Sequence, residues 1–387
     1  MSYDALLFPG LPDLQTRNIS LLILINVLLM KYSHLNQAAI VDALRGQTLP
    51  IPNLHNFFRV WPNPQGQLNR HHEHVTPIVN RAVERMAMAY PLIAFRKKDN
   101  IASLACSLYP QARRRQIEAL TLYTTWLVCW DDAVDANEGD LAGDFMRAER
   151  WRGQTMRMVR EALAVDERNT SEADDDPING VFREFGARFC QTAPRDQRRL
   201  LHDEIQFFIN SCAAEQELRL ASRIPDYEPY MKMRIGTVGG RMLCSLVPYA
   251  TDERLPGALL SAPEIVHLWT QVSILQSLMN DMLSLKKELR TDCVINAVAA
   301  IMEPGMSLDA VVAKLEERMK MAVNNFDDAA NMLLRKTEFQ EQTHAIVKRY
   351  VDGCRSIVTG TLRFTLTSPR YNIHKLIEED GSLKITL

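Results

Sequence analysis

Two groups of oxygen-bearing side chains, far apart in the chain, have the spacing that a divalent cation requires. The first lies in residues 130–135 (WDDAVD), where Asp131 and Asp135 are four positions apart. On a helix this spacing places both carboxylates on one face, about one turn apart. Two close negative charges after an apolar run repel each other and resist burial, and Mg²⁺, which prefers carboxylate oxygens, would relieve both effects. The segment therefore predicts a magnesium site near the end of a helix.

The second group is more specific. Asn280, Ser284 and Glu288 are spaced at i, i+4 and i+8, which is one stripe of a helix. Together they offer an amide oxygen, a hydroxyl and a carboxylate, all hard donors suited to Mg²⁺. A merely solvated helix face does not require Asn or Ser, which are indifferent helix formers. We interpret this stripe as a second cation site.

Other polar runs do not support a site. Residues 174–176 (DDD) lie in a polar loop, and residues 327–328 (DD) lie on a helix rich in charged residues, so we interpret both as surface charge. Residues 71–74 (HHEH) have no cysteine and no spaced partner histidine, so a zinc site is not predicted there.

The elements that position these groups are helices. The chain contains 16 Gly and 18 Pro in 387 residues and shows no useful β-alternation. We predict an all-α bundle forming a single domain over residues 66–387, preceded by an N-terminal extension, residues 1–65, that ends in Pro-rich turns. Apolar residues recur at three- and four-residue spacing in segments 111–132, 143–164, 180–220, 228–249, 263–289, 308–335 and 337–366.

Composition excludes several classes of protein. The net charge of −2 gives no electrostatic footprint for nucleic acid. Seven scattered cysteines without a CxxC pair are typical of reduced thiols, so we expect a cytoplasmic protein. The apolar run at residues 19–30 is too short to span a bilayer, and we interpret it as a packed or membrane-grazing helix rather than a targeting signal.

The two groups together resemble the metal-binding motifs of class I terpene cyclases. Residues 131–135 resemble the aspartate-rich DDxxD motif of that family, and Asn280, Ser284 and Glu288 resemble its NSE triad. Their order and their separation of 149 residues also suit the family.

Two further features carry the resemblance, which covers residues 60–372. Arg234 precedes Asn280 by 46 residues, as the diphosphate-sensing arginine of the family does. Arg370 and Tyr371 resemble the terminal RY pair, although Phe364 stands where the family often has tryptophan.

The resemblance implies an α-helical bundle around a central cavity that binds three Mg²⁺ ions and a prenyl diphosphate. Asp131, alone or with Asp135, would hold two ions, and the NSE triad would hold the third. The substrate would be farnesyl diphosphate, cyclised to a sesquiterpene hydrocarbon or alcohol. The diphosphate oxygens would accept hydrogen bonds from Arg234, Lys287, Arg370 and Tyr371.

A glycine-dense stretch, residues 235–240 (IGTVGG), should interrupt its helix. The resemblance implies that the carbonyl of Val238 then faces the carbocation and that Thr237 links it to Arg234. Close helix packing would account for the glycines equally well.

The hydrocarbon pocket should be lined by apolar and aromatic residues below the metal motifs, although side chains of these types more often belong to the core. The polar residues one turn before Asn280 are also expected to line it. The predicted lining is Thr124, Leu127, Val128, Phe207, Phe208, Ser273, Gln276, Ser277 and Phe364.

Three alternatives remain at this stage. A diterpene cyclase would use geranylgeranyl diphosphate. A prenyl-chain elongating synthase resembles the chain less, because it carries a second DDxxD where this chain has Asn, Ser and Glu. A non-catalytic helical scaffold would keep the acidic motifs without activity. The product and the choice between monomer and homodimer are open.

Overall fold

Helices dominate the computed structural model, which describes residues 32–134, 141–165 and 176–387. The prediction of an all-α fold is confirmed. In chain order, the described helices are α1 (Gln37–Leu44), α2 (His72–Ala87), α3 (Ile101–Leu108), α4 (Arg114–Val134), α5 (Phe145–Ala162), α6 (Pro177–Phe189), α7 (Arg195–Leu220), α8 (Tyr227–Thr237), α9 (Gly240–Ser245), α10 (Val247–Thr251), α11 (Gly257–Leu260), α12 (Pro263–Leu289), α13 (Ala297–Ile301), α14 (Leu308–Arg335) and α15 (Glu341–Thr367).

Side-chain caps determine where several helices begin. The Asp144 carboxylate accepts a hydrogen bond from the amide of Arg147 at the start of α5, and Ser307 accepts one from the amide of Ala310 at the start of α14. These caps satisfy amides that have no partner inside the helix. They explain why the predicted segments beginning at residues 143 and 308 coincide closely with α5 and α14.

One predicted helical segment forms two separate helices in the structure. Segment 180–220 is divided because α6 ends at Phe189 and α7 begins at Arg195. Pro194 lies between them in an extended conformation (φ −68°, ψ 164°) and has no N–H to continue a helix. The apolar period continues across the break, which is why periodicity alone did not reveal it.

The described ranges contain four short strands that the sequence does not predict: β1 (Tyr32–Asn36), β2 (Thr48–Ile51), β3 (Arg223–Pro225) and β4 (Leu383–Thr386). They form two antiparallel pairs, β1 with β3 and β2 with β4. In the second pair, Thr48 is opposite Thr386 and Ile51 is opposite Leu383. Each strand has three to five residues and is stabilised by a distant partner, so local alternation could not identify it.

Part of the segment before residue 65 is packed on the helical bundle. Trp61 is 3% exposed, and its ring centroid lies 5.0 Å from that of Phe326 on α14. The Trp61 indole also donates a hydrogen bond of 3.0 Å to Asp327. The domain boundary at residue 65 stays a prediction, but residues on both sides of it contribute to one core.

Helix α12 is at the centre of the molecule. It packs against α14, α15, α8 and α9. Most of its 27 residues are buried, including polar ones such as Gln276, Asp281 and Ser284. A helix that is buried nearly all round must place its polar groups toward partners or toward a cavity.

Tight packing between α15 and α3 gives a test of the fold. A Cβ at residue 360 would meet the carbonyl oxygen of Ser107, whereas a Cβ at Gly153 of α5 would meet nothing within 4 Å. Gly360→Ala should lower the free energy of unfolding by about 1–3 kcal/mol. Gly153→Ala should raise it by about 0.5–1 kcal/mol through helix propensity. Urea denaturation measures both, and a stabilised Gly360→Ala variant would contradict the packing described.

Candidate active site

An apolar cavity of about 180 Å³ opens between α3, α4, α7, α8, α9, α12 and α15. Its walls carry Leu and Phe side chains, and its rim carries charged and polar ones. Six of the predicted pocket residues line it: Thr124, Leu127, Val128, Phe208, Gln276 and Phe364.

A polar cavity of about 200 Å³ adjoins the apolar one. It is lined by both predicted metal motifs, Asp131 from α4 and Asn280, Ser284 and Glu288 from α12, with Lys287 beside them. The two cavities are halves of one site because they share six lining residues: Asp131, Arg234, Thr237, Asn280, Arg370 and Tyr371.

Aromatic packing fixes the end of α4 that carries Asp131. The Trp130 ring is stacked on Trp151 of α5 with a centroid distance of 5.2 Å and lies 5.4 Å from the Phe208 ring. Its indole N–H donates to the hydroxyl of Thr155 at 3.1 Å. With this face of α4 anchored in the core, Asp131 is left at the cavity, where it is partly exposed. Asp135 lies outside the described residues.

Unlike Asp131, the next residue, Asp132, is buried and belongs to an ion-pair cluster. It contacts Arg96 at 2.6 Å and Arg370 at 2.7 Å, and both arginines also contact Asp99. Burial would raise the pKa of Asp132, but the positive charges of Arg370 and Arg96 outweigh burial, so the pKa is lowered. The cluster fixes Arg370 at the rim of the cavity.

The second motif is hydrogen bonded within itself and to its neighbours. The Asn280 amide oxygen accepts from Arg234 at 2.8 Å, and the amide nitrogen donates to the hydroxyl of Tyr371 at 3.2 Å. The Ser284 hydroxyl donates to Glu288. Burial, together with the negative charge of Asp281, raises the pKa of Glu288 to about 7. This carboxylate is in a place where a bound cation would relieve its charge.

Arg234 connects these groups. Its guanidinium donates to Asp281 at 3.1 Å, to Asn280 and to the hydroxyl of Thr237 at 3.1 Å. Burial would lower the pKa of Arg234, but the charge of Asp281 outweighs burial and raises it, so the side chain stays charged. Tyr230, one turn earlier on α8, also donates to Asp281. Thr237 and Arg234 are thus hydrogen bonded to each other.

The glycine-dense stretch breaks the helix between α8 and α9. Gly239 has a positive φ of +74°, which only glycine adopts readily. Val238 lines the apolar cavity, and among the described residues no backbone amide donates to its carbonyl. A Cβ at Gly236 would meet Ser211, and one at Gly240 would meet Gln276. The glycines therefore serve close packing as well as the break.

Three predicted pocket residues do not line the cavity. Phe207 packs under the guanidinium of Arg241, because neighbouring positions on α7 face different directions and Phe208 takes the cavity side. The Ser277 hydroxyl donates to the carbonyl of Ser273 on its own helix at 2.7 Å, and the Ser273 side chain is fully buried. Both serines belong to the packed side of α12.

Two aspartates that were interpreted as surface charge have structural roles. Asp176 caps α6 and accepts hydrogen bonds from Tyr90 at 2.7 Å and Trp151 at 2.9 Å. Asp327 accepts from Trp61 and is partly buried. The rest of the 174–176 run lies outside the described residues. Their aromatic partners are distant in sequence, so composition alone could not identify these bonds.

The sequence does not predict the residues that fix the site side chains from the protein interior. Asp132 and Asp281 each directly follow a predicted metal ligand. An acidic residue at that position in a mostly apolar helical segment indicates a buried, partnered carboxylate. Arg219 lines the polar cavity and donates to the carbonyls of Val134 and Ala142 at 3.0 and 3.1 Å. Nothing in the local sequence distinguishes it from a surface arginine.

The donor set at the polar cavity fits Mg²⁺. Within the described ranges, no cluster of three or more His, Cys, Asp or Glu side chains forms a metal site. The NSE stripe depends instead on amide, hydroxyl and carboxylate oxygens, and it faces the same cavity as Asp131. A small number of hard oxygen ligands suits Mg²⁺, because this ion usually keeps water and phosphate oxygens in its coordination shell.

Comparison with known proteins decides the family. Residues 122–325, more than half of the chain, match the family model "Terpene synthase family 2, C-terminal metal binding". The chain belongs to this terpene synthase family. It is therefore a terpene synthase, a lyase with a metal-binding domain that acts on a prenyl diphosphate, and the scaffold alternative is wrong.

Curated terpene synthases resemble the chain over most of its length. It is 25% identical to the sesquiterpene cyclase hepA of Aspergillus oryzae, over 90% of this chain and 96% of that protein. It is 24% identical to 10-epi-cubebol synthase of Sorangium cellulosum, over 71% of this chain and 84% of that protein.

Solved structures share the fold. A single-residue variant of cucumene synthase superposes with a TM-score of 0.66 at 18% identity, over 80% of this chain and 98% of that chain. Linalool/nerolidol synthase from Streptomyces clavuligerus, in complex with 2-fluorogeranyl diphosphate, gives 0.66 at 15% identity, over 78% and 96%. In the described part of this terpene synthase, every helix is too short or too polar to cross a lipid bilayer.

The buried cluster around Asp132 gives a stability test. Asp132→Asn should lower the free energy of unfolding by about 3–5 kcal/mol, because Arg96 and Arg370 would then share only Asp99 and one buried positive charge would be uncompensated. Asp252→Asn is the control, since its ion pair with Arg113 is exposed and should contribute less than about 1 kcal/mol. Similar urea midpoints for the two variants would contradict the buried cluster.

Proposed function

We propose that this terpene synthase ionises farnesyl diphosphate with Mg²⁺ and cyclises the carbocation to a sesquiterpene hydrocarbon or alcohol, releasing diphosphate. The observation that carries this proposal is the shared cavity, whose apolar half would hold a prenyl chain and whose polar half would hold a diphosphate. Fifteen carbons are proposed because a sesquiterpene cyclase is similar over nearly the whole chain.

The metal ligands in this proposal are Asp131 with Asp135 on one side of the polar cavity, and Asn280, Ser284 and Glu288 on the other. Three Mg²⁺ ions would neutralise the negative charge that builds on the leaving diphosphate. Asp131 would bind from the anchored end of α4. The triad would bind from α12, where Ser284 and Glu288 are already held together by a hydrogen bond.

The protein itself supplies further donors for the leaving group. Arg234 and Arg370 offer planar guanidinium groups suited to phosphate oxygens, Lys287 adds a point charge, and Tyr371 adds a neutral hydroxyl. Asp281 and Asp132 hold the two arginines, so little conformational freedom would be lost on binding. These donors would act where the bond between carbon and oxygen breaks.

The apolar half would shape and protect the carbocation. Leu127, Val128, Phe208 and Phe364 would exclude water, which otherwise quenches the cation. The aromatic faces and the carbonyl of Val238 would stabilise positive charge along the prenyl chain. The helix break at Gly239 supports this role because it leaves that carbonyl without a backbone donor among the described residues.

We also propose that residues 66–387 form the catalytic domain and that the protein acts in the cytoplasm. The seven cysteines form no disulfide bond with one another, which suits a reducing compartment. Fractionation of cells that express the protein tests the location, and an extracellular or organellar pool would contradict it.

Product analysis tests the substrate. With Mg²⁺, the purified protein should convert farnesyl diphosphate to cyclic C15 products detectable by gas chromatography–mass spectrometry, and EDTA should abolish them. Geranylgeranyl diphosphate should be a poor substrate, and added isopentenyl diphosphate should not lengthen the chain. Cyclic C20 products as the main activity would favour the diterpene alternative, and elongation would favour a prenyl-chain synthase.

Substitution of ligands on both walls tests the metal site. Asp131→Asn and Asn280→Ala should each reduce turnover of farnesyl diphosphate by roughly 100-fold or more, because each weakens charge compensation on the leaving group. Asp328→Asn, an exposed acid on α14, is the control and should retain wild-type turnover. Equal activity in all three variants would rule out the assignment.

A further inference from the structure

Asn296 is a fully buried polar side chain at the junction of α12 and α13. It does not line either half of the cavity, and the resemblance assigns it no role. Its amide nitrogen donates to the carbonyl oxygen of Asp281 at 2.8 Å and to Glu288 Oε2 at 2.9 Å. Its amide oxygen accepts from the backbone N–H of Val298 at 2.8 Å. The amide thus uses both of its donors and its acceptor.

These bonds complete the surroundings of the Glu288 carboxylate. Ser284 donates to one oxygen, Oε1, and Asn296 donates to the other, Oε2. A free glutamate side chain has several rotatable bonds and loses substantial entropy when it is held in one rotamer. Here two neighbours fix the carboxylate at the wall of the polar cavity before any ligand arrives.

We propose that Asn296 is a positioning residue that holds Glu288 in place for metal binding. The inference rests on the proposed Mg²⁺ site and adds a residue that touches neither metal nor substrate. Hydrogen-bond partners of metal ligands commonly tune metal affinity by orienting the ligand. Asn296 would do so because its amide nitrogen links the Glu288 carboxylate to the backbone carbonyl of Asp281.

The competing explanation is that Asn296 only caps α13. A cap requires an oxygen, and serine, threonine or aspartate supplies one as well as asparagine does. The amide N–H₂ that reaches both Asp281 and Glu288 is not needed for capping. A variant that keeps a capping oxygen and removes this NH₂ group therefore separates the two roles.

Asn296→Ser in the full chain is that variant. Thermal unfolding is followed while Mg²⁺ is titrated in the presence of inorganic pyrophosphate, and the Mg²⁺ concentration for half-maximal stabilisation is read. The half-maximal concentration should rise by roughly 10- to 100-fold in the variant. Turnover of farnesyl diphosphate should show the same shift in Mg²⁺ requirement, with a smaller change in kcat at saturating Mg²⁺.

Asn53→Ser is the matched control. Asn53 also caps a helix, the short 3₁₀ helix Leu54–Phe58, and also donates to a distant carbonyl, that of Asp380 at 2.8 Å. It does not line the cavity. Asn53→Ser should lower the melting temperature of the protein without changing the Mg²⁺ requirement. If Asn296→Ser does not fold, Asn296→Thr gives the same comparison, because threonine caps well and suits the extended backbone at this position (φ −149°, ψ 148°).

The outcomes separate this inference from the proposed function. A wild-type protein that is not stabilised by Mg²⁺ and pyrophosphate would overturn the metal site and this inference with it. A wild-type response that Asn296→Ser reproduces at the same Mg²⁺ concentration, with only a lower melting temperature, would overturn the inference alone and leave Asn296 as a cap. A raised Mg²⁺ requirement in Asn296→Ser but not in Asn53→Ser supports it.

Discussion

Two buried aspartates hold the positive side of the cavity, and the site depends on them. Asp132 binds Arg370, and Asp281 binds Arg234. Each follows a proposed metal ligand by one residue, so a rotation of about 100° along the helix sends the ligand to the cavity and the aspartate into the protein. The same two-residue arrangement thus appears on α4 and on α12. Adjacent positions thus supply the oxygen of a proposed metal ligand and the carboxylate that fixes an arginine.

This arrangement resolves an electrostatic conflict. A site for several cations and a polyanion needs acids and bases within a few ångströms, and uncompensated charges would be costly in a partly buried cavity. The buried carboxylates of Asp132 and Asp281 compensate the charges of the arginines. Asp131 and Glu288 remain at the cavity wall. The charged groups at the cavity wall can therefore bind a ligand while the buried arginines keep their aspartate counter-charges.

Much of the fold was predictable because it is local. Long amphipathic helices such as α5 and α14 carry their apolar period and their caps in contiguous residues, and the NSE stripe on α12 is visible because three proposed ligands share one helix face. The glycine break at residue 239 was predictable for the same reason. What was missed is non-local, such as the pairing of β2 with β4 and the bond from Trp61 to Asp327. Phe207 and Phe208 show the limit within a helix, because adjacent aromatics look alike in sequence and only packing decides which one faces the cavity.

The pairing of β2 with β4 has a consequence for the order of assembly. Residues 48–51 leave the ribosome early, yet their partners at 383–386 follow after almost all of the described chain has been synthesised. Arg370 and Tyr371, on the segment between α15 and β4, arrive at the same late stage. The helices can collapse in chain order during translation. The cavity, however, gains its last charged wall only when late-synthesised residues dock beside early ones, so a nascent chain would be structured well before it could be catalytic.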